Sequence, residues 1–251
     1  MMSCNAYYCY VLKNILDNRK FGGDYGEAMD HWHDMVTSFG FGRKLGSDFP
    51  NELSGSIPTA KTYNRAYGKG RWNSTTVISL SIGQGEILAT PMHLANLCAT
   101  VANRGYYYIP HIIKASEGVE IDPKFYEKQY TKVSPDQFPK VIKGMWRAVN
   151  SGAGMGGTAW GAHIDGLDLC GKTGTAQNPR GADNSVFICF APMDDPKIAI
   201  AAYVENGGFG ATNAVPIVSL MVEKYLRGEV KRTDLEKTIK ERNLMSRVKK
   251  D

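Results

Sequence analysis

Residues 169–179 read "LCGKTGTAQNP", a lysine set among glycines and hydroxyls behind two apolar residues. Two architectures fit such a stretch. With Gly166 in front, "GLDLCGKT" has the formal spacing of a phosphate loop, four residues between a glycine and Gly-Lys-Thr. That loop must join a strand to a helix. Here the four intervening residues, Leu-Asp-Leu-Cys, are strand formers, and Thr173 is followed by Gly174 and a proline-bearing loop. The other architecture is an extended strand. Its alternation puts Lys172 on one face and Thr173 and Thr175 on the other unless the strand twists. Gly174 lets another backbone approach closely. A lysine charge beside threonine hydroxyls suits a carboxylate at the end of an extended peptide.

The strand reading organises the surroundings. Three extended runs, about 167–177, 185–192 and 197–205, follow the glycine-rich "NSGAGMGG", and "APMDDPK" between the last two marks a hairpin turn. That turn accounts for Asp194 and Asp195. Upstream, residues 3–18 carry apolar residues at helical spacing, and a second helix from about 25 to 38 is ended by the Gly-rich "FGFG". Thr90-Pro91 and Ser134-Pro135 are helix-start pairs. Residues 42–73 read as one long ordered loop, and "YYYIPHIIK" at 106–114 as an extended segment at an edge. Thr212–Arg227 reads as a closing helix with Ile217, Val218, Met221 and Leu226 as candidate buried positions, and "TDLE" at 233–236 as the capping box of a last charged helix. Helices, then an antiparallel meander, then a helix make an α+β fold.

At 251 residues and 43% hydrophobic content the chain can bury a substantial core. The net charge of +5 arises after residue 223, where ten basic residues face five acidic ones. The first 223 residues hold 20 of each. The basic balance therefore belongs to the tail, and nothing marks a nucleic-acid face. Five scattered cysteines (Cys4, Cys9, Cys98, Cys170, Cys189) form no disulfide framework and are expected mostly in the core. No apolar run reaches membrane-spanning length and the N-terminus lacks signal-peptide features. "HWHD" offers His31, His33 and Asp34 to a zinc ion, but i and i+2 do not share a helix face, so no cofactor or metal is expected.

Four stretches carry a resemblance: "SLSIGQGEILATPMHLANLCATVANRG" at 79–105, "GTAWGAHIDGLDLCGKTGTAQ" at 157–177, "FICFAP" at 187–192 and "GGFGATNAVPI" at 207–217. In these the chain resembles the class B penicillin-binding proteins, the D,D-transpeptidases of peptidoglycan synthesis, nearest the elongation, penicillin-binding-protein-2-like type. The resemblance implies the penicillin-binding protein and serine β-lactamase fold, in part: a helical region, the last three strands and a closing helix. "SCN" at 3–5 stands where the family has Ser-x-Asn. Ser3 is then the proton-relaying hydroxyl and Asn5 the side chain holding the substrate amide, against a plainer role capping the first helix. Lys172 supplies the field for the substrate carboxylate, Thr173 and Thr175 bind it, and the Thr175 N–H is an oxyanion donor. The resemblance also implies stem-peptide and β-lactam binding, a glycosyltransferase partner and an upstream anchor holding the site outside the cytoplasmic membrane.

The family's nucleophile, the serine of Ser-x-x-Lys, precedes Ser-x-Asn. Here two residues precede Ser3, and the one Ser-x-x-Lys, Ser246–Lys249, lies in the charged tail. The expectation is the C-terminal part of a transpeptidase domain over 1–228 with a charged helix or tail over 229–251, Met1-Met2 being an internal methionine pair taken as a start. Such a piece is inactive alone, and the strand at 197–205 lacks its neighbour. A non-catalytic penicillin-recognising or scaffolding module and a serine β-lactamase fragment are the rival readings.

Overall fold

A computed structural model describes residues 3–18, 20–114, 118 and 120–243. Their helices are α1 (Asn5–Asp17), α2 (Tyr25–Thr37), α3 (Ala60–Tyr67), α4 (Pro91–Ala102), α5 (Phe138–Asn150), α6 (Ala214–Arg227) and α7 (Thr233–Lys240). The strands are β1 (Tyr106–Tyr107), β2 (Gln129–Tyr130), β3 (Cys170–Ala176), β4 (Asn184–Ala191) and β5 (Ile198–Val204). The class is α+β, as the order of elements predicted. Two compact units share the chain. One holds Ser3–His93 and Tyr106–Val133, the other Leu94–Gly105 and the residues from Ser134 onward.

In the first unit α1, α2 and α3 bury Leu12, Leu16, Ala28, Met29 and Tyr63 against Trp72, Val77 and Leu80. Asp24 starts α2 by accepting from the Glu27 N–H at 2.9 Å, and Glu27 returns a bond to the Gly23 N–H at 2.7 Å. The 42–73 stretch is not loop throughout. Its Gly, Pro and Asn flank a two-turn helix, α3, with Thr59 and Thr62 forming a capping box. The helix exists because it buries one aromatic face. Tyr63 packs 5.3 Å from Trp72 and its hydroxyl donates to Glu86 at 2.7 Å. The remainder is ordered by carboxylates. Glu52 accepts from the Leu45, Gly46 and Ser47 N–H groups at 2.6, 3.1 and 3.1 Å, and Asp48 from those of Ile112 and Ile113 at 2.9 and 2.8 Å. The tyrosine run supplies β1, paired antiparallel with β2.

The second unit is built on an antiparallel sheet ordered β3-β4-β5. Phe187, Cys189 and Ala191 of β4 pack on Ala214, Val215, Val218 and Val222 of α6, all fully buried. α5 buries Phe138, Ile142, Met145, Ala148 and Val149, and its Asn150 amide donates to the Leu169 carbonyl at 2.9 Å, where β3 begins. Asp194 and Asp195 form the β4–β5 turn, with Asp195 ion-paired to Lys197 at 2.6 Å.

Two expectations for the C-terminal helices are corrected. Met221 is not core: it is 52% exposed, while Glu223 is buried and clamped by Arg227 and Arg232. The second concerns α7: Arg232 is its N-cap residue, Thr233 is already helical, and no side-chain cap forms, so the expected capping box is absent. Of the cysteines, Cys98, Cys170 and Cys189 are buried, Cys9 is half-buried and Cys4 is exposed. Ser246 and Lys249 lie outside the described residues.

Candidate active site

β3 is an edge strand of its sheet. From Cys170 to Ala176 it is in unbroken antiparallel register with β4, with Lys172 opposite Ile188, Thr173 opposite Phe187, Gly174 opposite Val186 and Thr175 opposite Ser185. A phosphate loop is therefore excluded at Lys172, whose backbone is paired strand. Cross-strand partners share a face. Lys172 and Gly174 lie on the face of Ile188 and Val186, and Thr173 and Thr175 on the α6 face with Phe187 and Ser185. The half-buried Lys172 ammonium donates to the Thr173 carbonyl at 2.5 Å, and burial lowers its pKa. The lysine thus sits closer to proton exchange than a solvated one. Thr173 and Thr175 are also half-buried, so charge and hydroxyls flank one strand edge from opposite faces.

The α6 face holds a support that the motif alone did not reveal. Thr175 and Ser185 are opposite each other, and both hydroxyls bond the same peptide group. The Gly210 N–H donates to Thr175 Oγ1 at 3.3 Å, and Ser185 Oγ donates to the Phe209 carbonyl at 3.0 Å. Ser185 also accepts from the Ala214 N–H at 3.0 Å, which ties the loop to the start of α6. The buried Asn213 donates to the Gly207 carbonyl at 2.6 Å. Gly210 is required by contact: a Cβ there would lie 2.4 Å from the Gly174 carbonyl oxygen and 2.7 Å from that of Val186. The sequence signal for this support was the stretch "GGFGATNAVPI", noted for its likeness but not for what it holds.

Ser3 and Asn5 belong to the first unit. Ser3 has φ of 46°, and its buried Oγ has no hydrogen-bond partner among the described residues. Asn5 is the exposed first residue of α1. Neither caps the helix, because the N-cap position is Cys4 and no side chain bonds there. The capping explanation for this pair therefore falls. In α2, His31 is exposed, His33 half-buried, and Asp34 is paired with Lys132.

A family model for the penicillin-binding protein transpeptidase domain matches residues 1–223. The chain belongs to this family. Among curated relatives it is 32% identical to a peptidoglycan D,D-transpeptidase MrdA of Acinetobacter baumannii, over 85% of this chain and 32% of that one. Against the MrdA of Escherichia coli the identity is 28%, over 80% and 34%. The chain spans about a third of the length of these relatives. Among solved structures, penicillin-binding protein 2 of Pseudomonas aeruginosa, in complex with WCK 5153, superposes with a TM-score of 0.71 at 29% identity, covering 91% of this chain and 47% of that one. A chain from a peptidoglycan synthase complex that coordinates polymerization and crosslinking gives 0.73 at 26%, covering 92% and 37%. The transpeptidase family match stops short of α7. No helix among the described residues is long and apolar enough to cross a membrane.

Proposed function

We propose that this chain carries one side of a D,D-transpeptidase site, the strand-edge clamp for the carboxyl end of a peptidoglycan stem peptide. The observation that carries the reading is β3 itself. It is an edge strand presenting Lys172 on one face and Thr173 and Thr175 on the other. A peptide laid along that edge extends the sheet by backbone pairing, and its terminal carboxylate meets a cation and hydroxyls at once. Gly174 keeps the edge clear of side chain. The Thr175 N–H serves as an oxyanion donor, a role worth about 3 kcal/mol in acyl-transfer enzymes. Ser3 and Asn5 contribute the relaying hydroxyl and the amide-holding side chain. Burial lowers the Lys172 pKa, which eases loss of its proton and supports the relay role proposed for the lysine. β-Lactams, whose carboxylate mimics that of the peptide, occupy the same edge.

The acyl-accepting serine comes from a segment upstream of Ser3, together with a membrane anchor, so the chemistry takes place on the outer side of the cytoplasmic membrane with a glycan polymerase as partner. The partner reading is supported by the likeness to a chain of a peptidoglycan synthase complex that coordinates polymerization and crosslinking. Residues 1–228 form the transpeptidase portion and 229–251 an appended charged segment, a division supported by the end of the family match at residue 223. The test is intact-mass analysis after incubation with a penicillin. The 251-residue chain is expected to stay unmodified, and a polypeptide extended upstream through an in-frame Ser-x-x-Lys to gain one adduct. An adduct on the shorter chain would sink the proposal.

A further inference from the structure

The Thr175 hydroxyl sits on the face away from Lys172, so something must hold it towards the strand edge. We propose that the Phe209–Gly210 peptide group is a built-in positioning element for Thr175, with Ser185 and Asn213 as the residues that fix it. The inference rests on the transpeptidase reading of the β3 edge. That one peptide group is gripped at both ends, its N–H by Thr175 at 3.3 Å and its carbonyl by Ser185 at 3.0 Å. A threonine hydroxyl has one proton and two lone pairs. The Gly210 N–H engages a lone pair and so selects the Thr175 rotamer. Ser185 is fully buried and cannot touch a ligand. It acts only through the loop, donating to it and accepting from the Ala214 N–H at 3.0 Å. Asn213, 1% exposed, closes the loop on itself through the Gly207 carbonyl at 2.6 Å.

The fit leaves no slack. A Cβ on Gly210 would meet the Gly174 carbonyl oxygen at 2.4 Å, and one on Gly207 would meet Ser185 Cβ at 2.7 Å. Real Cβ atoms do not come within 3.0 Å of other heavy atoms, so either substitution forces the loop or the strand beneath it to shift. The loop is thus keyed to two glycines and two buried polar side chains, and its register sets Thr175. Ser185 and Asn213 are positioning residues, not catalytic ones.

The test is nuclear magnetic resonance on the 251-residue chain. The first readout is the Thr175 χ1 rotamer from scalar couplings, which needs no ligand. Wild type is expected to hold one rotamer and Ser185→Ala to average over two or more. Hydrogen exchange of α6 amides verifies that the variant is folded, and Asn213→Ala repeats the measurement independently. The second readout is affinity for N-acetyl-D-alanyl-D-alanine. Ser185→Ala and Thr175→Val are each expected to weaken binding by roughly 3- to 10-fold, the range of one hydrogen bond. Because Ser185 acts through Thr175, the double variant is expected to be no weaker than Thr175→Val alone. An unchanged Thr175 rotamer in folded Ser185→Ala, or additive losses in the double variant, overturns the proposal. A dipeptide that leaves wild-type β3 resonances unmoved instead overturns the substrate reading, while the rotamer still decides the positioning.

Discussion

Removing Arg232 should cost more than removing the buried carboxylate it serves. Glu223 is 1% exposed, whereas the Arg227 and Arg232 side chains keep 27% and 26% of their surface in solvent. Arg232 Nε lies 3.0 Å from Glu223 Oε2, and its Nη2 donates to the Ser219 carbonyl at 3.0 Å. Arg227 approaches at a looser 3.4 Å. Breaking a buried pair by deleting one partner costs about 3–5 kcal/mol when a bare charge is left behind. In Arg232→Ala the bare charge is the buried carboxylate, relieved only by the long Arg227 contact, so about 3 kcal/mol is expected. In Glu223→Ala the groups left behind are two arginines that can turn to water, so about 1–2 kcal/mol is expected. The difference also bears on the segment after residue 228, since Arg232 belongs to it. A chain ending at Gly228 should lose as much as Arg232→Ala. Hydrogen exchange of α6 amides reads the local stability without assuming that both units unfold together. If Glu223→Ala proves the more damaging variant, or Arg232→Ala costs under about 1 kcal/mol, the buried-charge reasoning is wrong.

Three further outcomes are expected. Glu52→Gln should speed exchange of the Leu45 and Gly46 amides by about tenfold, the loss of one charge-assisted hydrogen bond. Burial pushes the Glu52 carboxyl up, but the Leu45 N–H, the Ser47 hydroxyl and the Gly46 and Ser47 N–H groups hold it below 4.5, so its contribution is complete above that value and lost as pH falls through the lower folded pKa. Lys172→Met should raise the melting midpoint by roughly 2 °C while abolishing the response to an anionic dipeptide. Because burial lowers the Lys172 pKa, the wild-type chain gains stability as pH rises from the folded value towards 10.5, and the methionine variant should not. The isolated chain should self-associate in the micromolar range through β5 and the apolar groove beside it, and Met221→Glu should weaken this in sedimentation velocity. A wild-type chain that stays monomeric throughout counts against that surface.

Apolar periodicity located α1, α4 and α6, and helix start and stop residues located α2 and α5. Both missed α3, where residue types associated with loops sit on both sides of a helix whose burial rests on Ala60 and Tyr63. Such a helix is stabilised by partners outside its own turns, Trp72 beyond the glycines that end it and Glu86 23 residues from Tyr63, which helical spacing does not register. Met221 was misassigned for the opposite reason. α6 has two apolar stripes, one under the sheet and one with Ile217, Leu220 and Met221 lining a groove of about 670 Å³ with Ile198, Ile200 and Ile239. The pattern registered both stripes, but only contacts distinguish a covered one. The placement of Lys172, Thr173 and Thr175 along one strand was legible because strand alternation is local, while the roles proposed for them rest on the resemblance. Ser185 and Gly210 were not legible, because their bonds cross 24–35 residues of chain, and the short Asn213–Gly207 bond gains a role only once those bonds hold the loop on the sheet.

The two edges of the β3-β4-β5 sheet bring different chemistry to the same physical circumstance. Each presents backbone groups along a line, and an extended chain can pair with either. On β3 the flanking residues are Lys172, Thr173, Gly174 and Thr175, so under the proposed function an arriving strand is selected by the charge at its end. On β5 they are Ile198, Ala199, Ile200, Ala201 and Ala202, beside an apolar groove, so an arriving strand is selected only by its hydrophobicity. The carboxyl-end clamp proposed above rests on this difference: among the described residues, only the β3 edge is flanked by both a cation and hydroxyls.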